Sequence, residues 1–204
     1  MKNIIVTIGR QYGSGGREIG EKLAGELGFD YYDTMLLEKA SERSGLSQHI
    51  IEEYDERLAN KWLNLAMAGG AQDVNHLPLP MRAILSQFEV IEKIGKKGSA
   101  VIVGLCADYV LHGQKNIFSV FVHAETGRRI VRVAGRNNIS MEEARKRIKN
   151  TDKQRAAYYN YYTDKKWGVP DSYNICIDSG LFGVNGAVAL LKNCVHLLQT
   201  GETQ

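Results

Sequence analysis

From Ile4 the chain is apolar to Ile8, turns through Gly13-Ser14-Gly15-Gly16, and then repeats apolar residues at Ile19, Leu23 and Leu27. The first segment reads as a buried strand, and the spacing that follows puts its apolar side chains on one face of a helix. Phe29–Tyr32, Ala100–Val103, Ile117–Val122 and Tyr173–Ile177 read as further strands. The segments AVIVG and IFSVFV are rich in Val and Ile without strict alternation, the pattern of strands covered on both faces. Between them lie helical stripes: Met81, Ile84, Leu85, Phe88, Ile91 and Ile94, then Ala187, Leu190, Leu191, Cys194 and Leu198. Ser140 followed by Glu143 is a capping box opening a charged helix. Residues 69–80 collect Gly and Pro and read as a loop between two helical stretches. Strands alternating with helices imply right-handed crossovers and a mostly parallel sheet, hence an α/β class.

A length of 204 residues, 44% of them hydrophobic, suits one α/β domain with a full core and room for a small lid. The net charge of +3 is too small to argue for nucleic acid, although a local basic pocket for phosphates fits it. Cys106, Cys176 and Cys194 make neither a paired framework nor a short-spaced metal set, which favours a reducing setting. The apolar start is too short for a signal segment, and no run approaches the roughly 20 residues of a membrane span. A cytoplasmic protein without membrane or nucleic-acid partners is the expectation; the oligomeric state is not legible.

The glycine turn changes the picture. A strand, a Gly-rich turn and a helix together make an anion site, because successive N–H groups point inward and the helix start is partly positive. Tyr12, Gly13, Ser14, Gly15, Gly16, Arg17 and Glu18 are the candidate phosphate-binding residues. The pattern GxxxxGK[S/T] is not met, since Arg17 and Glu18 follow Gly16. Arg17 would supply the charge a lysine normally gives, gripping phosphate through its fork. Glu18 would ligate Mg²⁺, or face away as a helix-start residue. The plainer alternative is a strand-to-helix turn capped by Ser14, with Glu18 complementing the helix dipole.

With the loop placed, longer stretches can be compared. VTIGRQYGSGGREIGEKLAGELGFDYYD resembles the start of the cytidylate kinase-like proteins, a branch of the P-loop nucleoside monophosphate kinases. VIVGLCADYVL, VFVHAETGRRIVRV, DKQRAAYYNYYTDKKWG and YNICID continue the resemblance over nearly the whole chain. It implies a five-stranded parallel sheet flanked by helices, a helical acceptor region over about residues 34–97 and a helical lid over about 125–168. It further implies transfer of the γ-phosphoryl of ATP, with Mg²⁺, to a nucleoside monophosphate of the CMP or dCMP type. Two positions depart from that pattern. Gly16 stands where cytidylate kinases have the loop lysine, in a GSGGRE form shared with the cytidylate kinase-like branch. Leu105 stands after VIVG, where an arginine usually touches the acceptor's phosphate. Leucine cannot do so, which leaves open another small-molecule acceptor; the missing lysine leaves open a non-catalytic nucleotide-binding protein.

Under the resemblance Asp33 borders the acceptor pocket; read from the residues alone, it equally caps a helix starting near Met35. Arg128, Arg129, Arg132 and Arg136 share a helix at three- and four-residue spacing, either a phosphate-clamping lid face or a solvated basic face. Arg155, three residues after Asp152, matches the lid segment of the resemblance. Arg17, Asp33, Arg132, Arg136 and Arg155 are therefore the candidate catalytic residues. Tyr158, Tyr159, Tyr161, Tyr162 and Trp167 either stack on a base or pack the lid helix, packing being the commoner fate.

Overall fold

The computed structural model describes residues 2–33 and 79–201. Its described elements, in chain order, are β1 (Ile5–Arg10), α1 (Gly16–Leu27), β2 (Asp30–Asp33), α2 (Leu79–Lys97), β3 (Ala100–Val103), α3 (Ala107–Val110), β4 (Ile117–His123), α4 (Thr126–Asn137), α5 (Met141–Tyr162), a short 3₁₀ turn (Pro170–Ser172), β5 (Ile175–Asp178) and α6 (Ser179–Thr200). Most of the expected acceptor region, and the helix that Asp33 was expected to cap, lie outside the described residues.

Successive side chains of β1 point to opposite faces of the sheet. Ile4, Val6 and Ile8 join Ile19, Leu23, Leu191 and Val195 in one apolar layer. Ile5 joins Ile91, Ile94, Ile102 and Leu111 in the other. Both layers are needed because every pairing is parallel and helices cover both faces. The strand order is β2-β3-β1-β4-β5. After β1 the chain builds on one side of it and then crosses to the other. Ligand crevices of such sheets open beyond the carboxyl ends of the strands at that reversal. Arg10, Asp33, Gly104, His123 and Asp178 end or follow the strands on that rim.

All five expected strands form, β3 with the expected ends and the others with shifted ends. β1 runs on to Arg10, whose register partner is Val122. β5 begins at Ile175 instead of Tyr173. Residues 69–78 of the expected loop lie outside the described residues, and its last two belong to α2, which starts at Leu79. Pro80 falls in its first turn, where the missing N–H has no helical partner to lose. Ser140 caps α5, its Oγ accepting the Glu143 N–H at 3.1 Å. The other half of the box is replaced: the Glu143 carboxylate pairs with Arg147 at 2.6 Å.

Among the described residues α6 alone is long and apolar enough to cross a membrane by length and composition, contrary to the expectation that no run approaches a membrane span. Its Ala187, Val188, Leu191 and Val195 are buried in the first apolar layer. Its helical dihedrals break at Gly183, with φ 66° and ψ 177°.

Candidate phosphate-binding site

The turn after β1 is a folded object held from several sides. The Gln11 N–H donates to Val122 O at 3.0 Å. Gln11 Oε1 accepts the Ala124 N–H at 3.2 Å. Ser14 Oγ donates back to Gln11 O at 2.8 Å and receives the Gly16 N–H at 3.4 Å. Ser179 Oγ, at the start of α6, donates to Ser14 O. Gly13 (φ 80°) and Gly15 (φ 83°) are left-handed, which bends the main chain around the start of α1. A Cβ at Gly13 would lie 2.7 Å from Val133 Cγ2, and one at Gly15 would lie 2.8 Å from Arg132 Nη1. Gly15 is the N-cap of α1 and contributes no capping side chain. The Ser14 cap of the plainer reading is thus reduced to one long bond.

Helices α4 and α5 bring cations to this turn. Arg132 Nη1 donates to Gly13 O at 3.2 Å. Arg155 Nη1 donates to Arg10 O at 3.0 Å, and its guanidinium lies 5.6 Å from the Tyr12 ring centre. Burial lowers the Arg155 pKa, with Asp152 opposing. Arg129 is buried; it donates to Tyr12 O at 3.2 Å and pairs with Asp152 at 2.5 Å. The Tyr12 N–H donates to the other Asp152 oxygen at 2.7 Å. One amide of the turn is therefore bound to a protein carboxylate.

The remaining candidates make contacts of their own, Glu18 taking the outward-facing alternative and Asp33 ending β2 as expected. Arg17 is half exposed and pairs with the buried Asp33 at 2.7 Å. Glu18 lies on the exposed side of α1, 3.2 Å from Lys22 Nζ. Arg136 is exposed in the last turn of α4. Arg132, Arg155, Tyr12 and the glycines come together, and Arg17 and Asp33 form a pair at the strand rim. Among the described residues no group of three or more His, Cys, Asp or Glu side chains is placed to hold a metal.

Next to the turn, Gly104, Leu105 and Cys106 have φ of 92°, 56° and 54°, a left-handed run straight after β3. Leu105 packs against the second apolar layer. Beyond it Asp108 is buried, accepting the Tyr159 O–H at 2.7 Å with Lys165 Nζ 3.8 Å away. Burial raises the Asp108 pKa against the lowering effects of that hydrogen bond and Lys165. Tyr158, Tyr159, Tyr161, Tyr162 and Trp167 cluster with Cys106 and Phe88, so these aromatics pack the end of α5.

Residues 5–181 match the cytidylate kinase-like family. The chain belongs to that family. Its fold is shared more widely. A crystal structure of an uncharacterized protein from Eubacterium ventriosum ATCC 27560 is similar at TM-score 0.73 and 27% identity, covering 95% of this chain and 98% of that one. Shikimate kinase from Bacteroides thetaiotaomicron (TM-score 0.54, 12% identity) covers 95% of this chain and 99% of its own. A gluconokinase from Sinorhizobium meliloti 1021 (TM-score 0.54, 12% identity) covers 99% and 98%. No curated protein matches the chain. The five-stranded parallel sheet of this cytidylate kinase-like chain is thus that of P-loop kinases.

Three residues of this family member escaped the sequence reading. Arg10 carried a signal, a lone cation closing an apolar strand just before the turn. Arg129 was grouped with its helix neighbours, and only the packing of α4 on α5 separates it as buried. Asp108 carried none, because nothing in its local sequence marks it as buried.

Proposed function

We propose that the protein transfers the terminal phosphoryl group of ATP to a small-molecule acceptor at the rim of the sheet. The observation that carries this reading is the turn itself. Left-handed Gly13 and Gly15 wrap the main chain around the start of α1, and Arg132 and Arg155 are bonded to carbonyls of Gly13 and Arg10. Main-chain N–H groups and a helix start favour an anion there. Positioning and charge neutralisation are most of what phosphoryl transfer requires of a protein.

In this reading the bond from the γ-phosphorus to the β–γ bridging oxygen breaks, ADP leaves, and an acceptor oxygen bonds to phosphorus, a hydroxyl acceptor passing its proton to the Asp33 carboxylate. Arg132 and Arg155 offset the charge of the polyphosphate, with Arg136 added from the end of α4. Arg17 holds Asp33 beside the acceptor, where the carboxylate accepts a hydrogen bond from it. Bound Mg²⁺ would neutralise further charge on the phosphates. The donor set fits an ion carried mainly by the phosphates, since Glu18 is engaged with Lys22.

Family membership favours CMP or dCMP as acceptor. Leu105, packed into the apolar layer, favours an acceptor offering a hydroxyl with no phosphate to hold. The glycine at position 16 favours a third reading, nucleotide binding without turnover. The test is ADP release from ATP·Mg²⁺ by the purified protein over CMP, dCMP, UMP, AMP, shikimate and gluconate. A diphosphate product supports the first acceptor class, and turnover with hydroxyl acceptors alone supports the second. ATP binding with no turnover across the panel rejects the transferase in favour of the third reading.

A further inference from the structure

The missing loop lysine has a physical counterpart on the neighbouring strand. A Cβ built on Gly16 would lie 2.6 Å from Arg10 Cβ, 3.1 Å from Arg10 Cγ and 3.3 Å from Val122 Cβ. The stem of Arg10 therefore fills the space into which a side chain at position 16 would start. Its far end is as tightly set. A Cβ on Gly104 would lie 2.0 Å from Arg10 Nη1, 2.9 Å from Cζ and 3.1 Å from Nη2. The guanidinium rests against Gly104, whose φ of 92° also suits glycine. Two glycines on two elements leave room for one arginine side chain, running from the turn to the end of β3.

We propose that Arg10 is the fixed cation that binds the phosphates of the nucleotide, in the space a lysine at position 16 would occupy. This rests on the phosphotransferase reading and sharpens it. Arg17, the cation the sequence offered for this task, is half exposed and paired with Asp33 at 2.7 Å. Arg10 ends the strand that enters the turn, and its own carbonyl holds Arg155. Its charge is surrounded by Arg155 and Arg17, which repel it, and by Asp33, which attracts it. Burial first, then Arg155, push its pKa down to about 9, so it stays charged at neutral pH. A polyphosphate set between Arg10 and Arg155 would relieve their repulsion, and the fork of Arg10 suits two phosphate oxygens at once.

The test is calorimetric binding of adenosine, ADP and inorganic tripolyphosphate to the full chain, with unfolding temperatures measured beside it. The variants are Arg10→Met, Arg10→Ala, Gly16→Lys and the double change Arg10→Ala/Gly16→Lys. Arg10→Met should weaken ADP and tripolyphosphate by at least about tenfold while adenosine changes by less than about twofold. Gly16→Lys alone should lower the unfolding temperature, because its stem meets that of Arg10. The double variant should recover tripolyphosphate affinity relative to Arg10→Ala, because a lysine then has the vacated space. If the wild type binds tripolyphosphate and Arg10→Met binds it equally well, the assignment of Arg10 is overturned and the phosphotransferase reading stands. A double variant no better than Arg10→Ala overturns the claim that the two positions share one space. A wild type that binds neither ADP nor tripolyphosphate overturns the phosphotransferase reading itself, and the role of Arg10 with it.

Discussion

Arg129 and Asp152 are nearly out of solvent, with side chains 7% and 17% exposed, and each also bonds to the main chain of Tyr12. Removing one charge of such a pair strands the other, which typically costs about 3–5 kcal/mol. Asp152→Asn keeps the size of the side chain and removes its charge, so its unfolding free energy from urea titration should fall by an amount in that range; an unchanged free energy would show the pair to be solvent-screened. Asp108 is the converse case, a buried carboxyl whose pKa is raised. The folded state holds its proton more tightly than the unfolded chain does. Stability is therefore lost as pH rises from the unfolded value, about 4, through the raised folded value. Asp108→Asn still accepts the Tyr159 O–H and should melt higher than wild type at pH 7, with the gain shrinking as pH falls through the raised folded pKa and gone by about pH 4. A gain equally large at pH 3 would contradict this assignment. At this scale the sequence was least legible. The glycines announced themselves through what backbone geometry demands, but a charge reveals nothing of its burial until helices from distant stretches close over it.

The elements were easier to read because their signals are local. Ser140 is a direct instance. Its hydroxyl accepts the Glu143 N–H, the cap the spacing implied. Ser140→Ala should cost about 1 kcal/mol by thermal melting, the usual value of such a cap. The same substitution at Ser14 acts on a different structure, since Ser14 Oγ chiefly closes the turn onto Gln11 O. Strand interiors were legible from their Val and Ile content, and their ends less so. β1 continues through Gly9 and Arg10, neither of them apolar enough to extend the pattern, because β4 supplies register partners as far as Val122. Helix starts defined by hydroxyls were found, whereas α1 opens on Gly15, which carries no side chain to signal with.

At the scale of the whole molecule, the parallel sheet followed from strands alternating with helices, but the order β2-β3-β1-β4-β5 did not, because a right-handed crossover can join neighbouring or more distant strands alike. The same layering explains α6, which by length and composition alone would suit a bilayer. Leu191 is fully buried beneath it and Leu190 is 39% exposed. Leu191→Ala should therefore lose about 2–5 kcal/mol of unfolding free energy, and Leu190→Ala far less. Equal losses would mean that α6 does not dock on the sheet as described. The bonds from Asp152, Arg129 and Arg155 to the main chain at Tyr12 and Arg10 link α4 and α5 to the glycine turn across the chain. The turn thus acquires its shape during folding, and under the proposed function a polyphosphate would meet a frame already assembled. Stopped-flow mixing with ADP should show one association phase whose rate stays proportional to concentration, and a plateau at high concentration would reveal a slow rearrangement that this bracing excludes.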